Sequence, residues 1–67
     1  MMNRDELRAA IAKRNITKTA LAEALGLSYT ALYYKMTGQN EFKESEIRTL
    51  ARVLNFTADD INHIFLH

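Results

Sequence analysis

The 67-residue sequence has no cysteine, no proline and no tryptophan, and it has only two glycines. Without cysteine it can form neither a disulfide nor a thiolate zinc site. It also has no apolar run close to the roughly 18 residues of a membrane span, and its first residues, MMNRDE, are charged where a signal peptide turns apolar. These absences predict a cytoplasmic protein with no membrane contact.

The length predicts one domain, covering residues 1–67. A domain of about 60 residues buries only about 60% of the surface that its unfolded chain exposes. Its core then contributes roughly 3 to 5 kcal/mol of net stability. We therefore expect tight helix packing, a second subunit, or both.

Charge is unevenly distributed along the chain although the formal net charge is only +1. Residues 1–40 carry six cations and three anions, whereas residues 41–67 carry three cations and five anions. A polyanion would therefore bind the first forty residues. Ordinary scatter of solvated charges explains the same pattern equally well.

One three-residue motif recurs: Asn or Gly, then an apolar residue, then Ser or Thr. It occurs at 15–17, 26–28 and 55–57, where the first residue suits a left-handed helix end and the hydroxyl suits the next N-cap. Apolar residues one helical turn apart predict five helices. At each predicted helix start, the apolar residue before the cap can pack against an apolar residue five positions later, which is a hydrophobic staple. These starts are the three corners and the caps Asn3 and Lys43. Lys43 is a poor cap. The predicted helices lie near 4–14, 18–25, 29–36, 44–54 and 58–66.

The second and third predicted helices are short and meet at a three-residue corner with glycine. This is the geometry of a helix-turn-helix, which places its second helix in a DNA major groove. From Thr17 to Gly38 the sequence TKTALAEALGLSYTALYYKMTG resembles the helix-turn-helix of lambda-type phage repressors and Cro-like regulators. The matching positions are Leu21, Ala22, Leu25, Gly26, Leu27, Leu32 and Gly38.

The resemblance covers the whole chain and implies an all-α, compact five-helix domain of the lambda-repressor type. It implies a transcriptional regulator, a repressor of phage or prophage type, in a bacterial or phage-infected cell. Such a protein binds double-stranded DNA as a homodimer at a pseudo-palindromic operator and needs no cofactor.

A helical wheel directs Leu32 and Met36 to the core, and directs Thr30, Tyr34, Thr37 and, at the edge, Tyr33 away from it. By resemblance, Tyr29, Thr30 and Tyr34, with Tyr33 beside them, are the candidate base contacts. The candidate phosphate contacts are Arg14, Lys18, Lys35, Thr37, Gln39, Asn40 and Lys43.

The chain departs from the family at several positions. Lys18 and Tyr29 stand where the family often has two glutamines, and Ile11 and Met36 stand where it often pairs Arg with Glu. Lys35 occupies a position that is usually apolar, so we expect its stem to lie along the surface and its ammonium to reach toward phosphates.

The tyrosines leave three interpretations open. In the first, Tyr29, Tyr33 and Tyr34 offer hydroxyls and rings to DNA. In the second, Tyr29 or Tyr33 flanks the core as part of an aromatic pair one helical turn apart. In the third, the three tyrosines bind a protein. The last interpretation makes the domain a protein-interaction module, such as an antirepressor that binds a partner regulator.

The carboxyl-terminal segment carries apolar residues that either close the core or form a homodimer face; the candidate face is Ile64, Phe65 and Leu66. His63 and His67 stand one helical turn apart, which makes a poor two-ligand metal site. We find no catalytic constellation in the sequence and predict that the protein is not an enzyme.

Overall fold

A computed structural model describes residues 2–66, and within that range it contains five helices and no strand. They are α1 (Arg4–Arg14), α2 (Lys18–Leu25), α3 (Tyr29–Met36), α4 (Glu44–Val53) and α5 (Ala58–Phe65). The predicted all-α fold is confirmed, and α4 and α5 each end one residue earlier than expected. Such differences are within the spread of helix-end assignments.

The helices begin at capping side chains. Asn3, Thr17, Ser28 and Thr57 each accept a hydrogen bond from the backbone N–H three residues later, which satisfies one of the free donors of the first turn. The start of α4 differs because a lysine side chain cannot accept. There, Oε1 of Glu46 accepts from the backbone N–H of Lys43 at 2.8 Å, which is the reverse half of a capping box.

The corners follow the predicted turn chemistry. Asn15, Gly26 and Asn55 adopt φ of 58°, 70° and 56°, the left-handed region that glycine and asparagine tolerate best. At two of these corners the next backbone N–H also returns to the preceding helix: Leu27 donates to the carbonyl of Ala22, and Phe56 to that of Ala51. Each reversal therefore satisfies helix-end carbonyls within the backbone.

The core is formed by apolar side chains from all five helices: Leu7, Ile11, Leu21, Ala22, Leu32, Leu50, Leu54 and Ile64. Helix α2 packs on α3 and α4, and α1 packs on α3 and α5. The apolar residue before each N-cap also packs against this core, as the staple pattern predicts. Among the described residues, no helix combines the length and apolar character needed to cross a membrane.

Helix α5 closes the core, so of the two roles left open for Ile64 the structure supports core closure and removes this residue from the candidate dimer face. Ile64 is only 2% exposed, and its carbonyl accepts a 2.6 Å hydrogen bond from the backbone N–H of Asn3. Phe65 is half-buried, with its ring edge-on to Phe42 at 5.9 Å. Of the three residues expected on a dimer face, Ile64 is therefore unavailable, and only Leu66 is largely exposed.

Candidate nucleic-acid interface

The corner between α2 and α3 fixes the direction of α3. Ala22 is buried where the helices meet, and its small side chain lets them approach closely. Gly26 ends α2 in the left-handed conformation, and Ser28 starts α3 only two residues later. With Leu32 buried, one face of α3 is held against the core and the opposite face is presented to solvent.

The exposed face of α3 carries the predicted base-contacting residues. Tyr29, Tyr33 and Tyr34 are 53%, 56% and 39% exposed, and Thr30 is also exposed. The rings of Tyr33 and Tyr34 meet edge-on, with centroids 5.8 Å apart. None of the three rings is buried in the core, so the interpretation of Tyr29 or Tyr33 as a core-flanking ring is not favoured.

Lys35 does not extend to the surface as expected. The residue is 9% exposed, and its Nζ lies 2.5 Å from Oε1 of Glu46, which is itself buried. Because a lysine charge is buried only when it is paired, the ammonium joins α3 to α4 instead of facing solvent. Lys35 is therefore not available to contact phosphate, and the outward face of α3 carries no charge.

Glu46 accepts from two sides at once. Its Oε1 takes hydrogen bonds from Lys35 Nζ and from the backbone N–H of Lys43. Burial raises the pKa of this carboxyl, but the two hydrogen bonds and the two lysine charges outweigh burial, so the pKa lies below its ordinary value. The carboxylate therefore stays ionised at neutral pH and anchors the segment between α3 and α4.

That segment presents most of the remaining candidate phosphate contacts. Gln39, Asn40 and Lys43 are exposed. Thr37 is half-buried, and its hydroxyl donates to the carbonyl of Tyr34 at 3.1 Å. Gly38 turns the chain here with φ of 87°, so the segment leaves α3 sharply and stays beside the end of the helix.

The other two candidates lie apart from each other. Lys18 is exposed at the start of α2 and borders a groove along α3. Arg14 lies at the end of α1, where its Nε donates to the carbonyl of Leu54 at 2.5 Å. This bond holds the end of α4, and Arg14 borders a different groove, one formed with α5. The structure therefore does not bring Arg14 together with the α3 face.

The groove along α3 has a volume of about 380 Å³. Tyr29, Tyr33, Leu32 and Met36 of α3 line one side of it, and Lys18 lies at the start of α2. Its remaining lining residues are Arg4, Asp5, Arg8 and Thr37. Sequence reasoning missed the α1 residues at this position, because nothing local to α1 indicates which neighbour its first two turns will face.

A family comparison decides how this arrangement is classified. The family model described as a helix-turn-helix domain matches residues 4–64. The chain belongs to this helix-turn-helix family. The match extends from the start of α1 almost to the end of α5, so it covers the whole helix-turn-helix fold described above. No match was found among curated proteins or among solved structures.

Membership of the helix-turn-helix family supports double-stranded DNA as the partner and regulation of transcription as the general role. Domains of this family are typically not enzymes. Within residues 2–66, no group of three or more metal-ligating side chains is placed to hold an ion. His63 Nδ1 donates to the carbonyl of Asp59 at 2.7 Å, and its suggested partner, His67, lies outside the described residues.

Proposed function

We propose that the protein is a transcriptional repressor of the lambda-type, Cro-like class from a phage or prophage, active in the cytoplasm at the nucleoid. It inserts α3 into the major groove of an operator. Tyr29, Thr30, Tyr33 and Tyr34 contact base edges and thymine methyls. The phosphate backbone of the DNA is held by Lys18, Thr37, Gln39, Asn40 and Lys43.

The observation that carries this proposal is the exposure of three aromatic rings on one short helix. A domain with so small a core gains stability by burying large rings, each of which carries about 150 to 250 Å² of surface. Here Tyr29 and Tyr33 are more than half exposed and Tyr34 is 39% exposed, all on the second helix of a helix-turn-helix. This position is the one that such domains present to base edges.

The dimensions favour two copies on one operator. The protein domain measures 27 × 24 × 20 Å along its principal axes, whereas half-sites that face the same side of DNA are about 34 Å apart. One copy therefore reads one half-site, and a two-fold homodimer reads a pseudo-palindrome. Phe65 and Leu66, at the end of α5, remain candidates for the dimer contact.

A second function, in a different class, has a specific observation in its favour. Because Lys35 pairs with Glu46, the exposed face of α3 holds three tyrosines and no cation. Tyrosine is enriched in protein interfaces, so this face also suits a partner regulator, as in an antirepressor. On DNA, the charge must then come from residues that flank α3.

Titration of a labelled random-sequence duplex at several salt concentrations separates the two functions. For a DNA-binding protein, log K falls with log salt by about 0.9 for each neutralised phosphate. We expect a slope of several units, and selection from a random DNA pool then identifies the operator. A protein that fails to bind at low salt, or binds with a flat slope, contradicts the proposed function and favours the protein-interaction module.

A further inference from the structure

The first two turns of α1 place charged side chains beside the exposed face of α3. Arg4 and Arg8 line the same groove as Lys18, Tyr29 and Tyr33. Three cations thus surround a groove whose other wall belongs to the proposed DNA-reading helix. Asp5 is the one anion among the residues that line it.

Arg4 is held at the carboxyl end of α3. Its Nη1 donates to the carbonyl of Thr37 at 2.9 Å. Its Cδ lies 3.7 Å from the position that a Cβ atom would occupy on Gly38. This bond neutralises part of the negative end of the α3 dipole and fixes α1 alongside α3. The guanidinium remains at the surface, since Arg4 is an exposed residue.

Arg8 lies one turn further along α1 and has no such structural bond. Its only side-chain partner among residues 2–66 is Asp5, with Arg8 Nη2 2.7 Å from Oδ1 of the carboxylate. The side chains of Arg8 and Asp5 are 69% and 88% exposed. Exposed pairs of this kind contribute little to stability because water screens both charges, so a phosphate can replace the carboxylate at little cost.

We propose that Arg8, assisted by Arg4, forms a second contact with the DNA backbone, along the flank of α3 that faces α1. This inference rests on the proposed function. When α3 enters the major groove, one sugar–phosphate strand borders each flank of the helix. Lys18 lies on this flank, and a strand that it holds passes the groove where Arg8 lies. Arginine suits the contact because its planar guanidinium binds phosphate oxygens in pairs.

Asp5 has the opposite effect on the same strand. Its carboxylate holds Arg8 in the free protein and repels an approaching phosphate. The Arg8–Asp5 pair thus weakens DNA binding slightly. Arg8 increases the affinity for DNA, whereas Asp5 decreases it. A purely structural ion pair behaves differently, because removal of either partner then has the same effect.

The test compares Arg8→Gln with Asp5→Asn on a short random-sequence duplex. Arg8→Gln is expected to weaken binding about three- to tenfold at low salt and to reduce the salt slope by about 0.9, the value of one phosphate contact. Asp5→Asn is expected to tighten binding about two- to fivefold, the effect of removing one like charge some 4 to 8 Å from a phosphate in a water-like dielectric. Arg8→Lys retains the charge and is expected to keep the slope.

Lys13→Gln is the matched control. It removes one positive charge from the same helix, but Lys13 borders the groove formed with Asp60 and His63. We expect the salt slope of Lys13→Gln to equal that of the unmodified protein. Circular dichroism of each variant verifies that the helices remain folded.

The outcomes distinguish this inference from the proposed function. If the unmodified protein does not bind the duplex, the proposed function fails and this inference fails with it. If the unmodified protein binds but Arg8→Gln behaves like Lys13→Gln, only the α1 contact is overturned. Weaker binding in both Arg8→Gln and Asp5→Asn also overturns it, because the ion pair is then structural.

Discussion

Lys35 Nζ lies 2.5 Å from Oε1 of Glu46, and this buried ion pair joins the end of α3 to the start of α4. The same carboxylate oxygen accepts the backbone N–H of Lys43. A single side chain therefore starts α4 and neutralises the one lysine that α3 buries. The position of the segment that follows α3 depends on this contact.

Breaking one half of this pair is expected to destabilise the fold strongly. Glu46→Gln still accepts the Lys43 N–H but leaves Lys35 buried without a counter-charge, which costs about 3 to 5 kcal/mol. Because that loss matches the whole stability expected for so small a core, the variant is expected to be largely unfolded. The double variant Lys35→Met/Glu46→Gln removes the buried charge and is expected to regain most of the stability. Urea unfolding followed by circular dichroism measures both; equal losses in the single and double variants would contradict the assignment.

Acid is expected to remove the contribution of Glu46. Since its pKa is lowered in the folded protein, the carboxylate contributes stability that is fully present above the pKa of an unfolded glutamate, about 4.3. This stability is lost as the pH falls through the folded-state pKa. Melting temperatures measured from neutral pH downward are expected to fall less steeply for Lys35→Met/Glu46→Gln than for the unmodified protein. Parallel curves would show that Glu46 is not linked to folding.

The exposure of Tyr34 predicts a loss of binding with little loss of folding. Tyr34→Ala is expected to weaken binding to a selected operator by about 1 to 3 kcal/mol and to relax its base preference, because a ring and a hydroxyl leave the DNA-reading face. Tyr34→Phe keeps the ring and shows how much the hydroxyl contributes. Fluorescence anisotropy gives the affinities. A large fall in melting temperature for Tyr34→Ala would instead assign the ring to the core.

Truncation of Ile64, inside α5, and of Leu66, just after it, is expected to change the free energy of unfolding differently. Ile64→Val removes one buried methyl and is expected to cost about 0.5 to 1.5 kcal/mol, whereas Ile64→Ala is expected to cost about 2 to 5 kcal/mol. Leu66→Ala is expected to leave the free energy of unfolding of the monomer nearly unchanged, because Leu66 is 69% exposed. Sedimentation of Leu66→Ala also reports on the proposed dimer. Equal destabilisation by Leu66→Ala and Ile64→Ala would contradict the assignment of Ile64 to the core and of Leu66 to the surface.

Gly26 is expected to be required for its backbone conformation alone. Its φ is 70°, and no atom of another part of the chain lies within 4 Å of the position that a Cβ would occupy at this residue. Gly26→Ala is therefore expected to cost about 1 to 2 kcal/mol through the left-handed conformation without any clash. Gly26→Asn is expected to cost less, since asparagine tolerates this region. Thermal melting compares the two, and equal costs would point to a steric cause.

The sequence predicts the helices well because their ends are local. A cap, a left-handed residue and an apolar staple lie within a few residues of one another, so Asn15, Gly26 and Ser28 can be recognised without the fold. The exposed side of α3 is also local, because it follows from helical periodicity around Leu32.

Contacts between helices are not local, and there the sequence-based expectations fail. Lys35 is expected at the surface because its partner, Glu46, lies eleven residues away in a different helix. Two signals bear on the pair: a lysine at a usually apolar position and a glutamate three residues after a poor cap. Neither signal reveals that the two side chains meet. The two roles left open for Ile64, core closure and a dimer face, are separated only by the packing of α1 against α5.

The hydrogen bond from Asn3 to Ile64 has a consequence for the order of folding. It ties the beginning of α1 to the end of α5, and Ile64 completes the core that Leu7 and Ile11 begin. During synthesis, α1 leaves the ribosome first but reaches its final packing only when α5 has emerged. We therefore expect folding of the growing chain to become cooperative only after translation has passed α5.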